Sequence, residues 1–409
     1  MSTSQWRNHK KHIFILSEAG NQVVFRYGNE ERLATLMGVM QALLSFIQAE
    51  QNSLKSIISG THKFVFLLRI PLILVAVSSK RESTQQLTVQ LTYVYNQIIS
   101  VLTFSQLNRI FQQRRNYDLR RLLTGTEKFI DNLLKLIDTD PSFLLQAVRC
   151  LPMPGTTRDI IAQSMHNAKV KDLVFAILIS RNQLIALVRM KKYVLHPADL
   201  HLIFNLVSAS TSFQASESWT PICLPKFDSS GFLHAHVSYL DDTDACLLLL
   251  TVDRDLFFTL SDCKQKIVER LRKHGCLQVI QESLARKGYK VAQVGISDLR
   301  HFLYKSRSTA QFTSPDWEPP YTDETERERL FGLYQYLHQR IHNNARPLKI
   351  LFHAGEKETL LGWVTSGFEL YTTFGPLVTK PVAITAINKL LKWIKKEEDR
   401  FFILNSPVF

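Results

Sequence analysis

Residues 12–47 read HIFILSEAGNQVVFRYGNEERLATLMGVMQALLSFI, and this stretch decides the fold. It is a strand, a tight turn, a second strand, and then a helix with hardly any polar face. Leu33, Leu36, Met40, Leu43 and Ile47 recur at spacings of three and four, the pattern of a helix facing a core. A second stripe lies opposite them and contains Gly38, Ala42 and Phe46, with Val39 beside it. Only Thr35, Gln41, Ser45 and Gln48 interrupt the apolar girdle. A surface helix normally keeps a broad polar face, so this one needs cover on two sides. A sheet supplies one cover. The other is either a further layer of the same chain or a partner protein.

The elements that follow extend the pattern. Three strands are expected at Leu54 to Ser59, His62 to Ile70 and Leu72 to Ser79, all rich in Ile, Val and Phe. The apolar run FVFLLRIPLILVAV at 64–77 is too short to cross a bilayer and contains Arg69 and Pro71, so it reads as two strands around a turn. A helix opens near Ser83, with Leu87, Leu91, Val94, Ile98 and Val101 on one stripe, and more helix continues to about Asp138. Two strands, a helix, three strands and then helices make an α+β sandwich around an antiparallel sheet.

The same grammar then begins again. LVFAILIS and QLIALVR form a hairpin over 173–189, and HPADLHLIFNLVSAS forms a helix from about Pro197. Strands SWTPICL, FLHAHVSYL and ACLLLLTV follow, then a helix that buries Leu256, Leu260, Ile267 and Leu271. The final block is less regular. Residues 291–320 read as loop, a long helix with an acidic first turn follows, then strands near 348–354, 359–364 and 367–374, and a last helix from about Pro381 to Glu398. These features predict a third, related sandwich with its order altered. The expected domains are 10–140, 141–288 and 289–409.

Composition is that of a folded protein: in 409 residues, 45% are apolar and 21% charged. Fifty Lys and Arg against 36 Asp and Glu give a net charge of +14, which favours an anionic partner. The five cysteines, at 150, 223, 246, 263 and 276, include no close pair of the zinc-site type. No Asn begins a glycosylation sequon, and MSTSQWRNHKKH lacks the apolar centre of a signal peptide, so a cytoplasmic chain is expected.

Catalytic grammar is missing. There is no Gly-rich phosphate loop, no G-x-S-x-G elbow, no H-E-x-x-H and no kinase signature set. Neither catalytic residues nor a cofactor are expected. His234 and His236 would share one strand face, but no third ligand can be named for them. They read as ordinary sheet histidines, and His196 and His201 as helix-start residues. No metal site is therefore assigned. Basic clusters are the better candidates: Lys389, Lys392, Lys395 and Lys396 on the last helix, opposite its apolar stripe, and Lys264, Lys266 and Arg270 with Arg272 and Lys273 on an earlier one. A third group is Arg114, Arg115, Arg120 and Arg121. Near an acidic membrane each basic residue adds about 1 kcal/mol. No aromatic-basic stacking platform is visible, so nucleic acid is not an expected partner.

Several longer strings carry a family resemblance: HKKHIFILSEAG (9–20), RNYDLRRLL (115–123), HPADLHLIFNLVSAS, WTPICLPKF (219–227), DLRHFLYKS (298–306), FTSP (312–315) and KKEEDRFFI (395–403). Together, and in this order, the chain resembles the Mon-one family of vacuolar fusion proteins over nearly its whole length. The resemblance implies three longin domains and a heterodimer with a second tri-longin protein, Ccz-one. It implies guanine-nucleotide exchange on the late-endosomal Rab GTPase, called Rab seven in animals. Endosome maturation, vacuole or lysosome fusion and autophagosome fusion would depend on that exchange. It further implies peripheral recruitment to acidic endosomal membranes, with a third regulatory subunit as a further partner. An exchange factor makes and breaks no bond, which fits the missing motifs. The residues expected to serve the partner or GTPase interface are Leu36, Val39, Met40, Leu43 and Phe46, with the hairpin around Tyr27 and Gly28. The lipid-facing candidates are Lys389, Lys392, Lys395 and Lys396, with Lys264, Lys266 and Arg270.

Overall fold

The structure is a computed structural model that describes residues 10–17, 22–25, 30–114, 117–240, 243–286 and 288–409. The first block consists of β1 (Lys11–Ser17), β2 (Gln22–Phe25), α1 (Glu30–Ala49), β3 (Ser56–Ser59), β4 (His62–Arg69), β5 (Leu72–Ser78) and α2 (Thr84–Leu102), with further helices to Thr139. The second has α3 (Gly155–Asn167), β7 (Leu173–Ser180), β8 (Gln183–Arg189), α4 (Pro197–Ser208), β9 (Ser218–Leu224), β10 (Asp228–Tyr239), β11 (Cys246–Thr251) and α5 (Phe257–Lys273), after a two-residue strand β6 (Val148–Arg149). The third has β12 (Leu299–Ser306), β13 (Gln311–Thr313), α6 (Glu324–Ile341), β14 (Ile350–Ala354), β15 (Thr359–Val364), β16 (Phe368–Phe374) and α7 (Lys380–Lys396).

The three sheets share one topology. Their strand orders are β2-β1-β5-β4-β3, β8-β7-β11-β10-β9 and, read from the far edge, β13-β12-β16-β15-β14, with β6 added beside β13. In each, the last strand lies at the centre, between the first strand of the hairpin and the middle strand of the trio. The sequences of β5 (LILVAVS) and β11 (CLLLLT) explain this placement, because every residue of both is buried. A strand covered on both faces reads as a continuous apolar run. The pairings within each trio and hairpin are antiparallel; β13 and β6 run parallel.

This corrects the reading of the third block. Its element order is not altered: β12 and β13 form the hairpin that residues 291–320 conceal. The short β13 followed by Ser314-Pro315 reads locally as loop, and it becomes a strand only by pairing with β12 and β6.

Each sheet is covered on both faces by the same two helices of its repeat. The helix after the hairpin packs on one face. In the first repeat Met40 and Leu44 of α1 meet Phe14, Leu16, Phe66, Ile73, Val75 and Val77. In the second, Leu200, Ile203, Phe204 and Val207 of α4 meet Phe175, Ile177 and Leu248. In the third, Leu330, Tyr334, Leu337 and Ile341 of α6 meet Leu303, Phe312, Leu360 and Tyr371. A Cβ at Gly362 would stand 2.4 Å from Cδ1 of Ile341, whose side-chain tip would have to turn aside. The closing helix packs on the other face: α2 contacts β4 and β5, α5 buries Leu260, Ile267 and Leu271, and α7 buries Ile387, Leu390 and Ile394.

Local signals start these helices where the sequence places them. Ser83 caps α2, accepting from the backbone N–H of Gln86 at 3.0 Å while the Gln86 side chain accepts from Ser83 N–H at 2.9 Å. Asp323 caps α6 by accepting from Glu326 N–H at 2.8 Å. By compactness the chain forms two units, one holding the first sheet and the other holding the second and third. Among the described residues no helix is long and apolar enough to cross a membrane.

Candidate functional site: the outer face of the first-repeat helix

The three helices that follow the hairpins occupy equivalent places, yet their outer faces end differently. On α4 nearly every residue is buried, including Asp199, His201 and Asn205 on the side away from the sheet. The segment before β6 supplies the cover: the His201 ring lies 4.7 Å from that of Phe143, and its Nε2 donates to the carbonyl of Ala147 at 3.0 Å. Asp199 accepts from the backbone N–H groups of Lys226 and Phe227 at 3.1 and 2.9 Å. On α4, then, the chain covers its own helix on both sides.

On α1 it does not. Met40 and Leu44 are 3% and 2% exposed against the sheet, whereas Val39, Leu43 and Phe46 stand 52%, 40% and 69% open to solvent. Gly38, Ala42 and Thr35 are exposed beside them, and no described residue comes within 4 Å of the place a Cβ on Gly38 would take. The result is an apolar strip about two turns long with a flat, small-residue margin. Contiguous exposed apolar surface of this kind marks interaction sites.

Two readings of α1 change. Leu43 belongs to the outer strip and not to the core stripe; the core register runs through Met40 and Leu44. Met40 in turn lies under the helix and is removed from the interface set, because it has no surface to offer a partner. Leu36 lies in α1 but its side chain is outside the described residues, as are Tyr27 and Gly28. Of the interface candidates, Val39, Leu43 and Phe46 form the described surface.

The basic candidates also separate. Lys389, Lys392, Lys395 and Lys396 are exposed on α7, opposite the buried Ile387, Leu390 and Ile394. Of these, Lys395 forms an ion pair with Glu398. On α5, Lys266 and Arg270 are exposed, but Lys264 is drawn inward. Its Nζ lies 3.3 Å from Glu217, whose other oxygen is 2.9 Å from Nε2 of the buried His236 and 2.7 Å from Ser261 Oγ. That network removes Lys264 from the free basic face. It also accounts for His236, while His234 stacks on Trp219 with ring centroids 5.6 Å apart.

Two of the strings that carry the family resemblance, FTSP and KKEEDRFFI, meet elsewhere, at the joint between the second and third sheets. Arg158 of α3 is buried and donates to four carbonyls: Asp399 at 2.6 Å, Leu151 at 2.7 Å, Phe402 at 3.0 Å and Arg400 at 3.1 Å. Gln311 of β13 accepts from the N–H of Ile403 at 2.8 Å and from the Cys150 thiol at 3.3 Å. Arg149 donates to Ser314 Oγ at 2.5 Å and lies over the Phe312 ring. FTSP and KKEEDRFFI are thus joint-building segments. All five cysteines are buried and unbridged; burial pushes the Cys150 thiol up to about 11 and that of Cys246 to about 12, so neither is a nucleophile at neutral pH.

Three hairpin-first, five-stranded sandwiches in succession define a tri-longin protein. Residues 11–133, 171–269 and 298–398 match, in turn, the family models described as the first, second and third longin domains of FUZ, MON1 and HPS1. The chain is 58% identical over 405 residues to vacuolar fusion protein MON1 homolog A of Gallus gallus, covering 99% of this chain and 74% of that protein. It is 57% identical over 409 residues to the Homo sapiens homolog A, covering all of this chain and 63% of that protein. To homolog B of Mus musculus it is 42% identical over 428 residues, covering 77% of that protein. The chain belongs to the MON1 family of vacuolar fusion proteins.

Proposed function

We propose that this chain is one subunit of a heterodimeric guanine-nucleotide exchange factor. Its partner is the tri-longin protein Ccz-one and its substrate the late-endosomal or vacuolar Rab, Rab seven. The observation that carries the reading is the uncovered apolar face of α1, formed by Val39, Leu43 and Phe46. The equivalent helix of the second repeat is covered by its own chain, so the open face on α1 is a place for another protein. Moving a large apolar side chain from water to full burial yields about 1.5–3 kcal/mol. Three such residues supply a central anchor for an interface.

Exchange requires binding the nucleotide-free GTPase more tightly than the nucleotide-bound one. A rigid surface achieves this by holding the switch segment away from the phosphates and magnesium that otherwise order it. The protein's role is that of a shaped surface, with no nucleophile or general acid in the step. The test is release of a fluorescent guanine nucleotide from the Rab with this chain alone, with Ccz-one alone, and with both. Acceleration by the pair only is the expected result; no acceleration by a folded, associated pair would overturn the reading.

A second reading, recruitment scaffold without exchange, has its own support in the exposed Lys389, Lys392 and Lys396 on α7. Among the described residues no carboxylate pairs with these three. Reversing their charge to Glu is expected to weaken binding to vesicles containing acidic phosphoinositide while leaving exchange in solution intact. Exchange lost together with vesicle binding would place this helix in the catalytic assembly instead.

A further inference from the structure

The third repeat carries a cluster that the exchange reading does not use. His338 and His342 stand one helical turn apart on α6, so both imidazoles project from one side of the helix. Beneath them on β16 lie Glu369 and Tyr371, two residues apart and therefore on the same face of the sheet. One ligand atom from each of His338, His342 and Glu369 can be chosen so that all three lie within 4.8 Å of one another.

We propose that His338, His342 and Glu369 bind one divalent transition-metal ion of the zinc type, leaving a fourth coordination position open. Two nitrogens and a carboxylate are a donor set that zinc accepts, and an open fourth position is the pattern of sites with three protein ligands. Ligands about 2.0–2.1 Å from a tetrahedral zinc stand about 3.3 Å from each other. His342 Nε2 and Glu369 Oε2 are already 3.2 Å apart. A shift of His338 toward them closes the set: among the described residues no hydrogen bond holds its ring, which lies tilted beside the rings of His342 and Tyr371 with centroids 4.4 and 6.0 Å away. The Tyr371 hydroxyl, 3.0 Å from His342 Nε2 and 3.2 Å from Glu369 Oε2, stands where it would yield to the ion or lean on a bound water.

The neighbouring cations set the strength of such a site. Lys305 Nζ is 3.1 Å from Glu369 Oε1 and Arg307 Nε is 3.8 Å from the same oxygen, so both address Oε1 and leave Oε2 to the metal. A ligating carboxylate held through its second oxygen is a common supporting arrangement. The two positive charges nevertheless repel the ion, which makes the site weaker than one without them.

The experiment is calorimetric titration of Zn²⁺ into the tag-free full chain, beside His338→Ala and Lys305→Gln, with folding followed by circular dichroism. One zinc per chain is expected, with affinity falling at least tenfold in His338→Ala and rising severalfold in Lys305→Gln. A purely structural hydrogen-bond network would respond to Lys305→Gln by losing stability without gaining zinc affinity. Absence of zinc binding, or equal affinity in the wild type and a folded His338→Ala, would overturn the proposal. Should His338→Ala not fold, Lys305→Gln decides: tighter zinc supports the site and unchanged or weaker zinc overturns it.

Discussion

Two adjacent residues of α1 have opposite consequences. Met40 is buried against six core side chains of the first sheet, so Met40→Ala should cost about 2–5 kcal/mol and lower the unfolding midpoint of that domain. Val39 and Leu43 face water, and their joint replacement by Asp should leave circular dichroism and stability nearly unchanged while abolishing capture of Ccz-one or the Rab in a pull-down. Unfolding of the double variant would instead mean that something of this chain covers that face. Buried histidines set a second residue-scale expectation. Burial pushes His201 down to about 4 and His301 down to about 3, where the His301 Nδ1 also shares a 2.8 Å hydrogen bond with Tyr334. Their folded pKa values lie below the unfolded value of about 6.5, so the unfolded chain binds more protons over the interval between. Stability should fall as pH drops below about 6.5. Unfolding at pH 5 should take up nearly two protons from these groups, which calorimetry in buffers of different ionisation enthalpy can read.

Among elements, α3 shows how a single side chain fastens a helix to distant backbone. Arg158 satisfies four carbonyls and has no carboxylate among these contacts. The carbonyl of Arg400 also accepts from Met153 N–H at 3.2 Å, so Arg158→Ala would strip the other three of this donor, at about 1–3 kcal/mol for each one that water cannot reach. A loss of 3 kcal/mol or more in chemical denaturation is expected, and a loss under about 1 kcal/mol would show that water replaces the guanidinium. The periodicity of α2, α5 and α7 was legible because each has one sheet to face, and their stripes are those the apolar spacing gives. The boundaries of β7, β8, β9 and β15 agree with their apolar runs for the same reason. β13 was not legible: three residues cannot carry a period, and its strand state depends on partners at 304–306 and 148–149.

For the molecule as a whole, the third block follows the same rule as the first two, and each sheet places its last strand at its centre. Repeating one sandwich three times gives three chances to cover the helix after the hairpin. The difference between α4, buried all round, and α1, with an open face, is where function is proposed to reside. The prediction at this scale is that nucleotide release from the Rab requires both subunits. A lone chain as active as the pair would place the whole exchange surface on this protein.

What the sequence determined by itself is what depends on neighbours along the chain: helix starts through capping residues, strands through short β-branched runs, the three-block order, and the need of α1 for two covers. The family was legible in strings such as FTSP and KKEEDRFFI, in which Phe312, Ser314, Phe402 and Ile403 make contacts of the joint. Tertiary structure alone decided which stripe of α1 faces the sheet, that Lys264 turns inward to Glu217, and that His338, His342 and Glu369 meet. The i,i+4 spacing of the two histidines was visible in LYQYLHQRIHNN, but Glu369 lies 27 residues beyond His342, and only the packing of α6 on β16 brings its carboxylate to them. Spacing along the chain fixes which residues share a face; which face finds a partner depends on contacts between residues far apart in sequence.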